Sequence, residues 1–234
     1  MKLKKLVCAA LAAVFLLVAA GCGEVEDEGG KRKNAKSGTS VEFILTADVS
    51  GAVTDREAEA VKTVLEKRIA FYGNDGKVEF DRVSGEFQVR FTAENAKEMD
   101  VEKTVHGLCE RGLFRFCRGE DEDDVILTGS ADVKSATAAY DDATDDYVVN
   151  LEFTDEGGAK FSAATAELVG QKISIWMDDA MISAPTVQTA ITGNSAVVTG
   201  LGSQRDAEEF ANKINGGELP FTLSVAEDSI KIGR

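Results

Sequence analysis

Residues 171–220 read QKISIWMDDAMISAPTVQTAITGNSAVVTGLGSQRDAEEFANKINGGELP, and this stretch decides the fold. Ile173, Ile175 and Met177 alternate with Lys172, Ser174 and Trp176, the period of two of a strand with one buried face. Asp178 and Asp179 interrupt that pattern and Ala180 to Ser183 resume it, so the two aspartates form the turn of a two-stranded ribbon. Pro185 lacks a backbone donor and restricts Ala184, which takes the chain out of the ladder. Thr192-Gly193-Asn194 supplies the next turn, and Ser195 to Thr199 reads as a short strand. Gly200 and Gly202 then lead into a helix capped by Ser203. Ala207, Phe210, Ala211 and Ile214 share its inner face, and Gly216-Gly217 stops it.

Three strings in this stretch resemble one protein family. Ile182–Val187 (ISAPTV), Ile191–Gly193 (ITG) and Ala207–Pro220 (AEEFANKINGGELP) occur in the order found in SecD. SecD is the membrane protein that assists the bacterial Sec translocase, and the resembling part is its first large extracytoplasmic domain. Several short motifs in the right order over one stretch make the resemblance specific. It implies a base domain carrying an inserted head.

The chain opens with an export signal, assigned to residues 1–21. Lys2, Lys4 and Lys5 form its charged start, Leu6 to Val18 its apolar middle, and Ala19-Ala20-Gly21-Cys22 fits cleavage and acylation of a bacterial lipoprotein on Cys22. Acyl chains on Cys22 would hold the protein at the outer face of the membrane. No other stretch is apolar for long enough to cross a bilayer. The expectation is therefore a stand-alone form without the transmembrane part, unable by itself to use a proton gradient. Residues 22–40 are polar and glycine-rich and read as a flexible tether. Loss of the three signal-peptide lysines takes the formal charge from −15 to −18. So acidic a surface opposes nucleic acid and anionic lipid head groups.

Beyond the tether, Val41, Phe43 and Leu45 alternate as a strand. Thr54-Asp-Arg-Glu57 is a capping box, and Ala58, Val61, Leu65, Ile69 and Tyr72 trace one face of a helix stopped by Gly73. Val78 and Phe80 mark a second strand, Ser84-Gly85 a turn, and Phe87, Val89 and Phe91 a third strand. A helix from about Ala96 to Arg111 follows, with Val105, Leu108 and Cys109 inward, and Leu113 to Cys117 reads as a fourth strand. This order is that of a ferredoxin-like split unit. Val64–Ile69 (VLEKRI) and Gly112–Phe116 (GLFRF) are similar to SecD segments. The paired glycines usual in SecD near the first strand are missing, and Thr92-Ala93 replaces the usual Pro-Gly.

Glu120 to Asp124 is an acidic linker, and Leu127-Thr-Gly129 resembles the start of the SecD head. Tyr147, Val149, Leu151 and Phe153 form an amphipathic strand. Thr154 caps a helix with Phe161, Ala164 and Leu168 inward and Gly170 beyond its end. The fold class expected is α+β with antiparallel sheets. Residues 41–118 plus 202–230 form a ferredoxin-like base, and residues 125–200 an inserted α+β head. The helix from Ser203 and the strand of Phe221, Leu223 and Val225 are expected to rejoin the base.

Chemistry finds little support. Asp141, Asp145 and Glu152 fit a calcium loop poorly, with Asp146 where glycine is required, so a solvated acidic loop is the better reading. His106, Cys109 and Cys117 match no common zinc spacing. A disulfide between Cys109 and Cys117 is permitted outside the cell, but the helix-strand turn between them separates their alpha carbons. Gly200-x-Gly202 has Arg205 where a dinucleotide loop needs a third glycine. Neither a cofactor nor a metal site is expected, and an enzyme is not indicated. Trp176, the single tryptophan, is either a partly exposed anchor for bound polypeptide or part of a second small core.

By resemblance, the expected partners are unfolded exported polypeptide or Sec translocase proteins, met at the outer face of the membrane. The alternatives are an envelope scaffold lipoprotein with one dedicated folded partner and, on the acidic loops alone, an ion or small-ligand receptor.

Overall fold

A computed structural model describes residues 38–93 and 99–233. The signal sequence, Cys22 and most of the tether lie outside these residues. The first strand, β1 (Thr39–Ala47), takes in the last two positions assigned to the tether. Thr54 caps α1 (Asp55–Tyr72) in a reciprocal box: its hydroxyl accepts the Glu57 amide at 3.3 Å, and the Glu57 carboxylate accepts the Thr54 amide at 2.8 Å. Gly73 is extended, with φ −178°, so the helix passes directly into β2 (Gly73–Asp81). Gly85, at φ +77°, turns the chain into β3 (Glu86–Ala93). The next helix, α2 (Val101–Cys109), is capped by Asp100, whose carboxylate accepts the Lys103 amide at 3.0 Å; Ala96, from which the sequence reading began this helix, lies outside the described residues.

The chain then leaves this layer. β4 (Phe114–Arg118), β5 (Val125–Thr128), α3 (Gly129–Asp132), β6 (Val133–Asp141), β7 (Asp146–Phe153) and α4 (Asp155–Glu167) come first. β8 (Ile173–Met177), β9 (Ala180–Ser183), β10 (Ser195–Val198) and α5 (Gln204–Gly216) follow, and β11 (Leu223–Val225) and β12 (Lys231–Gly233) bring the chain back. The turn between β8 and β9 is made by Asp178 at φ +54° with Asp179, as the sequence predicts.

Two cores result. In the base, the sheet order is β11-β1-β3-β2, all antiparallel, with β12 also on β1. Val41, Phe43, Leu45, Phe87, Val89 and Phe91 face α1 and α2 and are almost wholly buried. In the head, the sheets are β5-β4-β8-β9 and β10-β7-β6. Phe114, Phe116, Phe153 and Phe161 lie at their centre, with ring centroids 5.0 to 6.0 Å apart for the contacting pairs Phe114–Phe116, Phe116–Phe153, Phe116–Phe161 and Phe153–Phe161. The α+β class and the ferredoxin-like base are those expected from the sequence.

Two placements differ. β4 was expected to complete the base, but it pairs with β8 from Phe114↔Met177 to Arg118↔Ile173 and so belongs to the head. β11 occupies the base position instead, through Leu45↔Val225 and Ala47↔Leu223. Likewise α5 was expected in the base, yet Ala207, Phe210, Ala211 and Ile214 belong to the head core. The reason is geometric: β6 is an edge strand of its sheet among the described residues, and the Asn215 side chain binds it as a strand would. Its Oδ1 accepts the Ala136 amide at 2.8 Å, and its Nδ2 donates to the Ala136 carbonyl at 2.7 Å.

Candidate functional site

The chain crosses between base and head twice, and one side chain holds both crossings. Arg68 lies on the inner face of α1 among Val61, Val64, Leu65 and Ile69, and is 1% exposed. Its Nη1 donates to the carbonyls of Leu108 (3.0 Å) and Glu110 (2.5 Å), and its Nη2 to those of Arg111 (2.9 Å) and Gly217 (2.6 Å). Leu108 is in the last turn of α2, Glu110 and Arg111 lie on the outgoing crossing, and Gly217 on the return. Burial lowers the Arg68 pKa to about 10, opposed by the charges of Asp178 and Glu110, so the guanidinium remains a cation at neutral pH. The planar fork suits this site, because it sends donors to several acceptors from one rigid group.

Neighbouring residues are shaped to this arginine. A side chain on Gly112 would collide with its Nη2, and one on Gly216 with its Cγ. The crossings also bind each other. Leu219 donates its amide to the Arg111 carbonyl at 2.9 Å, Arg111 pairs with Glu218 at 2.8 Å, and Lys213 pairs with Glu110. Asn212 Nδ2 donates to the Arg68 carbonyl at 3.1 Å, which ties α5 to α1. Sequence reading passed over Arg68, although its position three residues after Leu65 in an apolar stripe was the available signal.

The second feature is the outer face of the head's four-stranded sheet. A row runs across it through cross-strand partners Thr128, Arg115, Trp176 and Met181. Trp176 is half-buried, and its indole N–H donates to the hydroxyl of the buried Ser174 at 2.8 Å. Met181, on β9, is 43% exposed. Arg115 is held by the Asp178 carbonyl at 2.7 Å and by Glu122 at 3.2 Å, so the acidic linker folds down over this face. β9 is the outermost strand of its sheet among the described residues. Its far side therefore carries backbone groups open to a further strand.

The other sequence candidates are not brought together. His106 is exposed, Cys109 faces the base core and Cys117 lies on the head sheet. Both thiols are free and buried, donating to the carbonyls of Val105 (3.2 Å) and Glu122 (3.3 Å). Burial pushes the Cys109 thiol up to about 12. Asp141 closes its own turn by accepting the Ala143 amide, Asp145 accepts from the Tyr140 hydroxyl, and Glu152 pairs with Lys134. Gly200 and Gly202, at φ +79° and +88°, make a tight turn into the Ser203 cap.

Residues 120–221 match the family model of the SecDF P1 head subdomain. The chain carries a SecD-type extracytoplasmic domain. Similarity extends well beyond the head. The protein translocase subunit SecDF of Thermus thermophilus is 29% identical over 219 residues, covering 79% of this chain and 29% of that one. The translocase subunit SecD of Leptotrichia buccalis is 28% identical over 197 residues, covering 82% of this chain and 46% of the relative. Among solved structures, SecDF in its super-membrane-facing form is similar at a TM-score of 0.70 and 26% identity, over 82% of this chain and 30% of that chain. A second, described as a membrane component SecDF that enhances protein export, has a TM-score of 0.65 at 26% identity, covering 80% of this chain and 98% of that chain. The chain thus spans less than half the length of these curated relatives. No helix among the described residues of this SecD-type domain is long and apolar enough to cross a membrane.

Proposed function

We propose that this SecD-type domain works at the extracytoplasmic face of the bacterial cell membrane, held there by acyl chains on Cys22, and assists protein export by engaging polypeptide as it emerges. The observation that carries this reading is the SecDF P1 head match at residues 120–221, set on a base with the fold of the same family. Free strand edges bind extended chain through the main chain, without reading sequence. On the head, β9 is such an edge, and Trp176 and Met181 lie beside it as apolar contacts. A Sec translocase protein is the other partner consistent with the relatives. No catalytic step is assigned.

The test is photocrosslinking in cells from a probe at position 176, with export active or blocked. Crosslinks to many exported chains that disappear when export stops support polypeptide engagement. One constant partner, indifferent to export, identifies an envelope scaffold instead. A Cys22→Ser variant should release the protein from the membrane fraction; retention there would refute the lipid anchor.

A further inference from the structure

The outer face of the head's four-stranded sheet holds a hydroxyl that stability alone does not call for. Ser174 lies two residues before Trp176 on β8, so both side chains point to that face. Trp176 is half-buried, whereas Ser174 is wholly buried. The indole N–H donates to Ser174 Oγ at 2.8 Å, and this is the one side-chain hydrogen bond of Ser174 among the described residues. Its cross-strand partner Cys117 turns its thiol to the Glu122 carbonyl instead. Burying a hydroxyl for one neutral bond gains little in stability, because its desolvation costs about as much as the bond returns. What the bond does is fix the orientation of a partly exposed aromatic ring.

The rest of the row is preset as well. Arg115, directly opposite Trp176, gives its guanidinium to the Asp178 carbonyl at 2.7 Å and to the Glu122 carboxylate at 3.2 Å, so its charge is paired. With the indole N–H taken by Ser174, the row through Arg115, Trp176 and Met181 presents apolar surface and no unpaired charge. A strand added at β9 lies beside Met181 and two strand spacings, about 10 Å, from Trp176. A long apolar side chain on its outer face covers Met181 and extends towards the ring, whereas a charged one loses water there and gains no partner. We infer that Ser174 is a positioning residue for polypeptide at this face: it holds Trp176 as a preset apolar contact, so that the face takes extended segments with long apolar side chains in preference to charged ones. This inference rests on the reading of the head as a polypeptide-binding module. The β9 edge supplies a grip on the main chain, and the fixed ring adds the preference.

The experiment uses the purified chain and three fluorescein-labelled octapeptides in which Ser alternates with Leu, with Lys or with Glu. Fluorescence anisotropy of the label should show the Leu/Ser peptide binding about tenfold more tightly than either charged peptide. Ser174→Ala should weaken binding of the Leu/Ser peptide about fivefold, the cost of ordering a ring that is no longer held. In the same variant the emission anisotropy of Trp176, the chain's single tryptophan, should fall without a drop in melting temperature. Trp176→Phe keeps an aromatic ring and removes the N–H, so adding Ser174→Ala to it should cost no further affinity. Wild-type affinity and wild-type Trp176 anisotropy in Ser174→Ala would overturn the inference and leave the polypeptide reading standing. A further loss when Ser174→Ala is added to Trp176→Phe would also overturn it, since Ser174 would then act other than through the indole. Equal binding of the charged peptides would refute the preference. No binding of the Leu/Ser peptide by the unaltered chain would refute the polypeptide reading itself, and this inference with it.

Discussion

Replacing Arg68 with methionine keeps the aliphatic stem and removes the guanidinium. Four carbonyls, those of Leu108, Glu110, Arg111 and Gly217, lose a charged donor at once. Hydrogen bonds to charged groups contribute ~1.5–3 kcal/mol each before desolvation is counted. The burial that pulls the arginine down to about 10 opposes that gain. Loss of one partner from a buried charged network typically costs about 3–5 kcal/mol, and Arg68→Met is expected in that range. Urea unfolding at neutral pH measures the total. Hydrogen exchange localises it: the amides of Leu113 and Leu219, bonded to Asp178 and Arg111, should open faster, while those in the centre of β3 change only with global stability. Arg68→Lys should recover only part of the loss, because one ammonium cannot reach four carbonyls from a single point. A loss below about 1 kcal/mol, with unchanged exchange at both crossings, would refute the view that this side chain joins base to head.

Four further expectations follow from named contacts. Gly112→Ala forces a left-handed backbone, φ +75°, onto a residue whose side chain meets Arg68, and should cost about 1–3 kcal/mol in denaturant unfolding. Asn215→Leu leaves the amide and carbonyl of Ala136 without their side-chain partner, and a loss of about 2–3 kcal/mol is expected by the same measurement. Thr54→Ala removes the α1 cap and should cost about 1 kcal/mol, read as a lower melting temperature. The last concerns alkaline pH. Cys109 ionises at 9.0 ordinarily and at about 12 in the fold, so above pH 9 the unfolded chain releases a proton that the folded chain keeps. Stability should therefore fall as pH rises from 9 towards 12, and less steeply in Cys109→Ala when melting is followed across that range.

Local signals were legible where one element decides its own form. The box at Thr54 and Glu57, the cap at Ser203, and the alternation of Phe87, Val89 and Phe91 each act over a few residues, and all appear where the sequence puts them. Partner choice was less legible. Phe114 and Phe116 alternate in either sheet, and a period of two identifies a buried face without saying which strand lies beside it. The local order of strands and helices completed a split unit at β4, whereas the chain completes it with β11 after a long excursion. Trp176 was readable as an outward residue on its strand, but its bond to Ser174 and its place beside Met181 depend on β8 and β9 pairing. Arg68 required two crossings distant in sequence, neither of which carries a motif for it.

The late position of β11 governs how this chain assembles. Thr46 and Ser224 are neighbours in the base sheet although 178 residues separate them. As the chain emerges from its amino end, β1, β2 and β3 are all present long before the strand that covers the other side of β1. The head, uninterrupted from Phe114 to Gly216, contains everything its own core requires. Its completion brings Arg111 to Glu218, closing a separation of 107 residues, and delivers β11 to its place. Closing that loop through a folded head removes most of the chain entropy that β11 would otherwise have to overcome. This topology predicts an order of assembly with the head first and the base last, the inserted part acting as the template that finishes its host; pulse-labelled hydrogen exchange during refolding should protect β7 before β11.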